Sequence, residues 1–197
     1  MKISDFGKNF DFLNENLASA NFAMVMSTGI VSIALHLLGC EWGAWILFLV
    51  NIVMFVALWI FYIIKLLRWP KKMLADFSDH LAGPGFLTIV AGTNILGSQF
   101  AVLAGCHELA EALFWLGTSC WIFILWGTFY FIFTRNPKPP VARGINGAWL
   151  VATVSTQSIV ILGSTIAAKV GWNLEVAFYI LTALFVLGLM LYILVIT

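Results

Sequence analysis

Six apolar runs divide the chain, and their length constrains its fold more than any other feature of the sequence. Each run is close to the roughly 20 residues that an α-helix needs to cross the hydrocarbon core of a bilayer. The sequence therefore predicts an all-α, polytopic membrane protein with six transmembrane helices. The runs cover approximately residues 20–38, 43–64, 85–104, 112–133, 146–168 and 174–196.

Composition supports the membrane assignment and excludes several classes of partner. Charged residues make up 10% of the chain and hydrophobic ones 62%, whereas about a quarter of a soluble domain is charged. The net charge of +1 comes without the basic stripe that nucleic-acid binding requires. The three cysteines form neither a zinc-binding spacing nor a disulfide scaffold. We expect a lipid bilayer as a partner, and no nucleic acid or metal.

Basic residues predict the orientation of the spans. Nine of the ten lie in segments that fall on one side of the membrane, and Lys169 alone lies on the other. The positive-inside rule makes that side cytoplasmic, which places both termini in the cytoplasm and predicts a bacterial inner-membrane protein. The nine are Lys2, Lys8, Lys65, Arg68, Lys71, Lys72, Arg135, Lys138 and Arg143.

Residues 1–19 differ in character from the rest and are predicted to be a cytoplasmic segment. Phe6, Phe10, Leu13 and Leu17 recur at i, i+4, i+7 and i+11, which is typical of an amphipathic helix lying at the membrane interface. A frayed, acidic terminus is an equally good interpretation. Residues 20–197 then form a single transmembrane domain.

The spans repeat in pairs, with starts near residues 20, 85 and 146. This spacing of about 60 to 65 residues predicts three helical hairpins, covering about 20–66, 85–133 and 146–196. The odd-numbered spans are rich in glycine and uncharged polar residues. The even ones are almost wholly aliphatic and aromatic, apart from Asn51 and residues 117–120. We expect the odd spans inside and the even spans against lipid.

Polar residues of the odd spans fall on single helical faces. In the fifth span Asn146, Thr153, Gln157 and Ser164 are spaced i, i+7, i+11 and i+18, and lipid cannot satisfy such groups. The face must therefore pack against other helices or line a solvated path. Polar faces occur on all three odd spans of the repeat, and this favours the solvated path. The predicted lining residues are Thr28, Gly29, Ser32, Thr88, Gly92, Asn94, Gln99, Thr153, Gln157 and Ser164.

The middle of every run lacks Asp, Glu, Lys and Arg. Cation pores commonly use carboxylate rings, whereas hydroxyl and amide donors can accompany an anion without trapping it. The residues therefore predict transport of small anions, with no catalytic residues and no cofactor, so an enzyme is not expected. Two alternatives stay open, namely a non-conducting bundle or interaction module, and a proton-coupled dicarboxylate carrier.

Three segments resemble a known family. They are NFAMVMSTGIVSIALHLL at 21–38, GPGFLTIVAGTNILGSQF at 83–100 and NGAWLVATVSTQSIVILG at 146–163. They are similar to the tellurite-resistance/dicarboxylate transporter family, which includes the slow-type anion channels of the voltage-dependent anion channel superfamily. The resemblance implies ten helices as five hairpins, with odd helices lining a pore. It also implies trimers that move inorganic anions or C4-dicarboxylates.

Two features depart from that family. Its pore helices often carry a kinking proline at mid-membrane, which the odd spans here lack. Five such hairpins would need about 325 residues at this repeat length, and only six of the ten helices are present. The family's occluding phenylalanine lies on the ninth helix, so it has no counterpart here. We expect either the N-terminal part of a longer protein or a shortened form that needs other subunits to close a conduit.

Overall fold

The computed structural model describes residues 11–12, 14–134 and 147–197, and the regular secondary structure in these ranges is helical throughout. The all-α prediction is confirmed. Short 3-10 turns, Gly83–Phe86 and Gly147–Trp149, lead into two of the helices. The α-helices from residue 23 onward are α1 Ala23–Leu37, α2 Glu41–Arg68, α3 Pro70–Phe77, α4 Leu87–Val102, α5 His107–Thr134, α6 Leu150–Ile166 and α7 Leu174–Ile196.

Several of these helices can cross a membrane, as the hydropathy predicts. Within the described ranges, five are long and apolar enough when the 3-10 turns are counted with the helices that they begin: Glu41–Arg68, Gly83–Val102, His107–Phe131, Gly147–Ile166 and Leu174–Ile196. The apolar α1 has 15 residues and is about 22 Å long at 1.5 Å per residue. The chain is thus polytopic, while the sixth crossing and the N-in/C-in orientation stay predictions.

The turn inside each hairpin has the same construction. Gly39, Gly105 and Gly171 follow α1, α4 and α6 with φ angles of 79°, 63° and 75°, in the left-handed region that glycine adopts without steric cost. The N–H of the residue after each glycine donates to a carbonyl five or six residues earlier at the end of the preceding helix, at 2.8, 3.0 and 3.1 Å. This arrangement resembles a Schellman cap. The glycines are spaced 66 residues apart, so the repeat read from the sequence is present in the backbone.

Helix α4 occupies the centre of the bundle. It packs against α1 on one flank, α6 on the other, and its hairpin partner α5. Buried residues make up 89% of its apolar stretch, against 28% for α2 and α5 and 17% for α7. A helix exposed on most sides suits contact with lipid, and a buried one suits the interior. Helices α4 and α6, with 89% and 50% buried, show the contrast with the even spans that their polarity predicts, whereas α1, with Val25, Gly29 and Ser32 buried out of 15 residues, does not.

Residues 16–20, here called the N-terminal strap, are fastened to the end of α2. Lys65 is only 1% exposed, and its Nζ donates to the carbonyl of Leu17 and to the carboxylate of Asp76, both at 2.7 Å. The Tyr62 hydroxyl donates to the carbonyl of Ala18 at 2.6 Å. The strap thereby connects the N-terminal region to α2 and α3 at the end of the bundle opposite the glycine turns.

Two elements differ from the sequence prediction. The loop after the second span contains α3, which Pro70 opens at its first position, where the missing N–H has no intrahelical role. The sequence predicts the first span from residue 20, but α1 begins at Ala23, because residues 19–22 form turns in which the N–H groups of Ala23 and Met24 donate to carbonyls three residues earlier. Residues 1–10 and Leu13 of the predicted amphipathic segment lie outside the described ranges.

Candidate functional site

The polar side chains of α4 lie in the middle of the bundle and are almost fully buried. Their fractional exposures run from 0 to 5%. A polar group that is buried away from water needs a hydrogen-bond partner or costs free energy, so their partners indicate what each side chain does. These residues are Thr88, Thr93, Asn94, Ser98 and Gln99.

Asn94 connects three helices. Its Nδ2 donates to the Ser158 hydroxyl of α6 at 3.1 Å. On its other side it fits against Gly117 of α5, where an added methyl group would lie 2.6 Å from Asn94 Oδ1 and 2.9 Å from Nδ2. The amide therefore fills a notch that exists only because residue 117 is glycine.

Gln99 makes the corresponding contact on the other flank of α4. Its Oε1 accepts a hydrogen bond of 2.6 Å from Nδ2 of Asn51, which is fully buried on α2. Both amides crowd Gly29 of α1, where an added methyl group would lie 2.9 Å from Asn51 Nδ2 and 3.1 Å from Gln99 Oε1. Asn51 was not among the predicted lining residues, although its place in an otherwise aliphatic span is a signal in the sequence.

Gln157 of α6 makes a third contact of this kind with α7. Its Nε2 donates to the carbonyl of Phe185 at 3.1 Å. A methyl group at Gly188 would collide with the Gln157 amide nitrogen and lie 3.0 Å from Cδ. The predicted polar face of α6 thus packs in part against its hairpin partner.

An amide therefore meets a glycine once in every hairpin. Asn94 meets Gly117, and Gln157 meets Gly188, with the amide on the odd span in both cases. In the first hairpin the roles are exchanged, because Gly29 is on the odd span and Asn51 on the even one. Close approach at small residues together with buried polar bonds is a common way for membrane helices to associate. These contacts hold the inner helices to the outer ones.

Hydroxyls of the predicted lining residues mostly have backbone partners. Ser32 donates to the carbonyl of Ala44 on α2 at 2.7 Å. Thr88 and Ser164 donate to carbonyls three residues earlier on their own chain segment, at 2.7 and 3.0 Å. Gly92 allows close approach of α1, because a methyl group there would lie 3.1 Å from the Phe22 carbonyl oxygen.

Some buried polar atoms have no hydrogen-bond partner among the described residues. They include donors at Gln99 Nε2 and the Thr153 hydroxyl, and acceptors at Asn51 Oδ1 and Asn94 Oδ1. Such atoms are costly in a dry interior. A water molecule or a polar solute would satisfy them, and free N–H and O–H groups suit an anion.

One face of α4, here called its inner face, lies between its contacts with α1 and with α6. Helical geometry places Ala91, Ser98 and Val102 on it, at i, i+7 and i+11, and Ile95 at its edge, where Ile95 contacts Gly29 of α1. Val102 is 36% exposed, so this face opens toward one end of the bundle. Ser98, whose hydroxyl donates to the Asn94 carbonyl at 3.0 Å, is the polar residue of the face and was not among the predicted lining residues.

Charge is nearly absent from the interior in the part of the chain that the structure describes. Its one fully buried charged side chain there is Lys65, at the end of α2 that contacts the N-terminal strap. Groups of three or more histidine, cysteine or acidic residues suited to a metal ion are likewise lacking among the described residues. Apart from Lys65, the interior formed by the described residues offers hydroxyls, amides and helix backbone.

The predicted lining residues are thus only partly brought together. Gly29 and Gln99 meet at one junction, while Gln157 and Ser164 lie toward α7 on the far side of α6. Thr28 and Thr153 are half-buried. Asn146, which completes the predicted face of the fifth span, lies outside the described residues. Their role as a pore lining stays a prediction.

Comparison with known proteins identifies relatives of the chain. Residues 16–197 match the family described as "Voltage-dependent anion channel". The chain is also similar to the "Uncharacterized transporter MJ0762" of Methanocaldococcus jannaschii, with 25% identity over 160 residues. That alignment covers 77% of this chain and 45% of the relative, so the chain spans less than half of the relative's length. No solved structure matches the chain.

Proposed function

This chain belongs to the voltage-dependent anion channel family, and we propose that it moves small anions across the cell membrane along its inner helices α1, α4 and α6. The observation that carries the proposal is the family match, which extends over residues 16–197. The helical architecture supports it, because the three helices with the most polar residues form one contiguous row through the bundle.

The chemistry of the interior also supports an anion as the solute. Buried hydroxyls and amides provide many weak donors, which suit passage better than tight binding. A buried carboxylate would repel an anion, and the described interior has none. We propose lining roles for Thr28, Gly29, Ser32, Thr88, Gly92, Asn94, Gln99, Thr153, Gln157 and Ser164, and we add Ser98 from the inner face of α4.

Finer features of the proposal come from the resemblance and from the charge pattern. The solute would be an inorganic anion or a C4-dicarboxylate, and tellurite resistance would be a consequence of such transport. The protein would be a trimer in a bacterial inner membrane, with both termini in the cytoplasm. Because the chain covers 45% of its relative, neighbouring subunits or further hairpins would complete the wall of the conduit.

Anion efflux from proteoliposomes tests the proposal directly. The purified chain is reconstituted and the release of chloride, nitrate, sulfite and malate is measured against protein-free vesicles. We expect release of at least one anion, and lower release after Gln157→Leu at an equal amount of folded protein. Unchanged release by that variant would assign Gln157 to packing. Release that follows an imposed pH gradient would instead indicate a proton-coupled dicarboxylate carrier.

A second candidate function is a non-conducting bundle or membrane interaction module. The observation in its favour is that Asn94, Gln99 and Gln157 all bond to neighbouring helices. This candidate predicts vesicles with no anion permeability above background. It also predicts that substitutions of the buried amides change only the stability of the protein.

A further inference from the structure

An apolar groove runs along the outside of the bundle between α5 and α7. Both helices pack against α6, and they leave a groove of about 320 Å³ between them. Phe114 and Thr118 line it from α5, and Val176, Ile180 and Leu184 line it from α7. Few residues of either helix are buried, at 28% and 17% of their apolar stretches, so the groove opens toward lipid.

Aromatic side chains form the rim of this groove at the end of the bundle that holds the glycine turns. Phe114 and Trp172 have ring centroids 4.9 Å apart, and Trp115 lies 5.8 Å from Trp172. The Trp172 indole N–H donates to Glu111 Oε1 at 2.7 Å. Tryptophans with an apolar body and one anchored N–H are typical of the boundary between acyl chains and headgroups.

A polar depression of about 710 Å³ adjoins the rim on the other side of Glu111. Its wall includes His107, Glu108 and Glu111 from the start of α5 and Lys169 from the α6–α7 turn. Glu111 lines the depression and Trp172 lines the groove, and the hydrogen bond between them joins an apolar site to a charged one. This pairing matches the two parts of a phospholipid.

The charges of the depression indicate which headgroup it would accept. Two carboxylates, Glu108 and Glu111, accompany the single cation Lys169. A purely anionic headgroup would meet one attractive and two repulsive charges, whereas a zwitterion with a phosphate and a primary ammonium can pair with both signs. A trimethylated ammonium keeps the charge but cannot donate hydrogen bonds to the carboxylates.

We propose that this site binds one phosphatidylethanolamine molecule, with an acyl chain in the α5–α7 groove and the headgroup in the depression. The phosphate would lie at Lys169 and the ammonium at Glu108 and Glu111. The proposal is independent of anion transport, because it uses the lipid-facing side of the outer helices. The lipid would fill the space between α5 and α7 and link the turns of the second and third hairpins.

Native mass spectrometry of the delipidated full chain tests the site by titration with lipids of identical acyl chains. We expect one phosphatidylethanolamine per chain, bound about tenfold more tightly than phosphatidylglycerol and more tightly than phosphatidylcholine. Lys169→Glu in the exposed turn should weaken phosphatidylethanolamine binding by about tenfold. Ile180→Trp should fill the groove and abolish specific binding, whereas Val53→Trp on the exposed side of α2 should leave it unchanged.

Three results would overturn the proposal. One is equal or tighter binding of phosphatidylglycerol, and another is unchanged phosphatidylethanolamine binding in both Lys169→Glu and Ile180→Trp. The third is a change of oligomeric mass on Ile180→Trp, which would make the groove a contact between copies of the chain. If Ile180→Trp does not fold, the headgroup preference and the Lys169→Glu result decide the question.

Discussion

Asn94 of α4 and Gly117 of α5 are fitted to each other, because a methyl group at residue 117 would lie 2.6 Å from the Asn94 amide oxygen. The same amide bonds Ser158 of α6, so it cannot turn away without loss of that bond. One glycine on a lipid-facing helix therefore determines how closely the second hairpin closes and how the central helix meets α6.

Gly117→Ala should lower the free energy of unfolding by about 1 to 3 kcal/mol, as expected for overpacking a filled site. Thermal unfolding in detergent measures the effect as a lower Tm. Gly147→Ala is the matched control, because an added methyl group there meets nothing within 4 Å. Equal Tm values for the two variants would show that α5 can move away from Asn94 at no cost.

Asn51 and Gln99 should be strongly coupled in a double-mutant cycle. Each single leucine substitution leaves the other buried amide without its partner, at a cost of about 1 to 3 kcal/mol. The double substitution removes both polar groups and should cost less than the sum of the single effects. Unfolding free energies of the four proteins give the coupling energy, and an additive result would mean that the 2.6 Å bond contributes nothing.

Removing Asp76 from the buried Lys65–Asp76 ion pair should lower the free energy of unfolding more than removing Lys65. Asp76→Asn leaves Lys65, which is 1% exposed, without a counter-charge. The free energy of unfolding should fall by about 3 kcal/mol. This is the lower end of the range for a broken buried pair, because Asp76 is partly exposed. Lys65→Met replaces the cation with an apolar chain of similar length and should cost less. Chemical denaturation of both variants measures the difference.

Arg68→Met is the control for this comparison. Arg68 pairs with Asp11 at 2.6 Å, but the two side chains are 59% and 48% exposed, so its loss should cost at most about 1 kcal/mol. An Asp76→Asn protein as stable as Arg68→Met would mean that Lys65 reaches water or another acceptor.

The three turn glycines should be sensitive to alanine for a reason other than space. Nothing lies within 4 Å of a methyl group at Gly39, Gly105 or Gly171, but all three have positive φ angles. Alanine in the left-handed region should cost about 1 to 2 kcal/mol at each turn. Asparagine, which tolerates this region better, should restore part of the loss. Full stability of Gly105→Ala would contradict the described turn.

The sequence was sufficient for the architecture but not for the partners of the polar residues. Span lengths, the hairpin repeat and the polarity difference between odd and even spans follow from hydropathy and spacing, which are local properties. A helical face defined by periodicity does not specify which neighbour covers it. Gln157 and Gly188 are far apart in the sequence, and their contact depends on how α6 and α7 dock. The strap depends likewise on Lys65, whose burial no local pattern indicates.

Ser98 provides the most direct test of a solvated path. In a background without the three native cysteines, which are all free thiols, Ser98→Cys should react with a negatively charged methanethiosulfonate reagent. Thr93→Cys is the control, because Thr93 is 0% exposed and lies on a different face of α4. An added negative charge within 4 Å of the path costs a passing anion about 1 kcal/mol in water. Modification at residue 98 should therefore reduce anion release at least about fivefold, and a positively charged reagent should reduce it less. Failure of both cysteine variants to react would mean that the inner face of α4 is closed by packing.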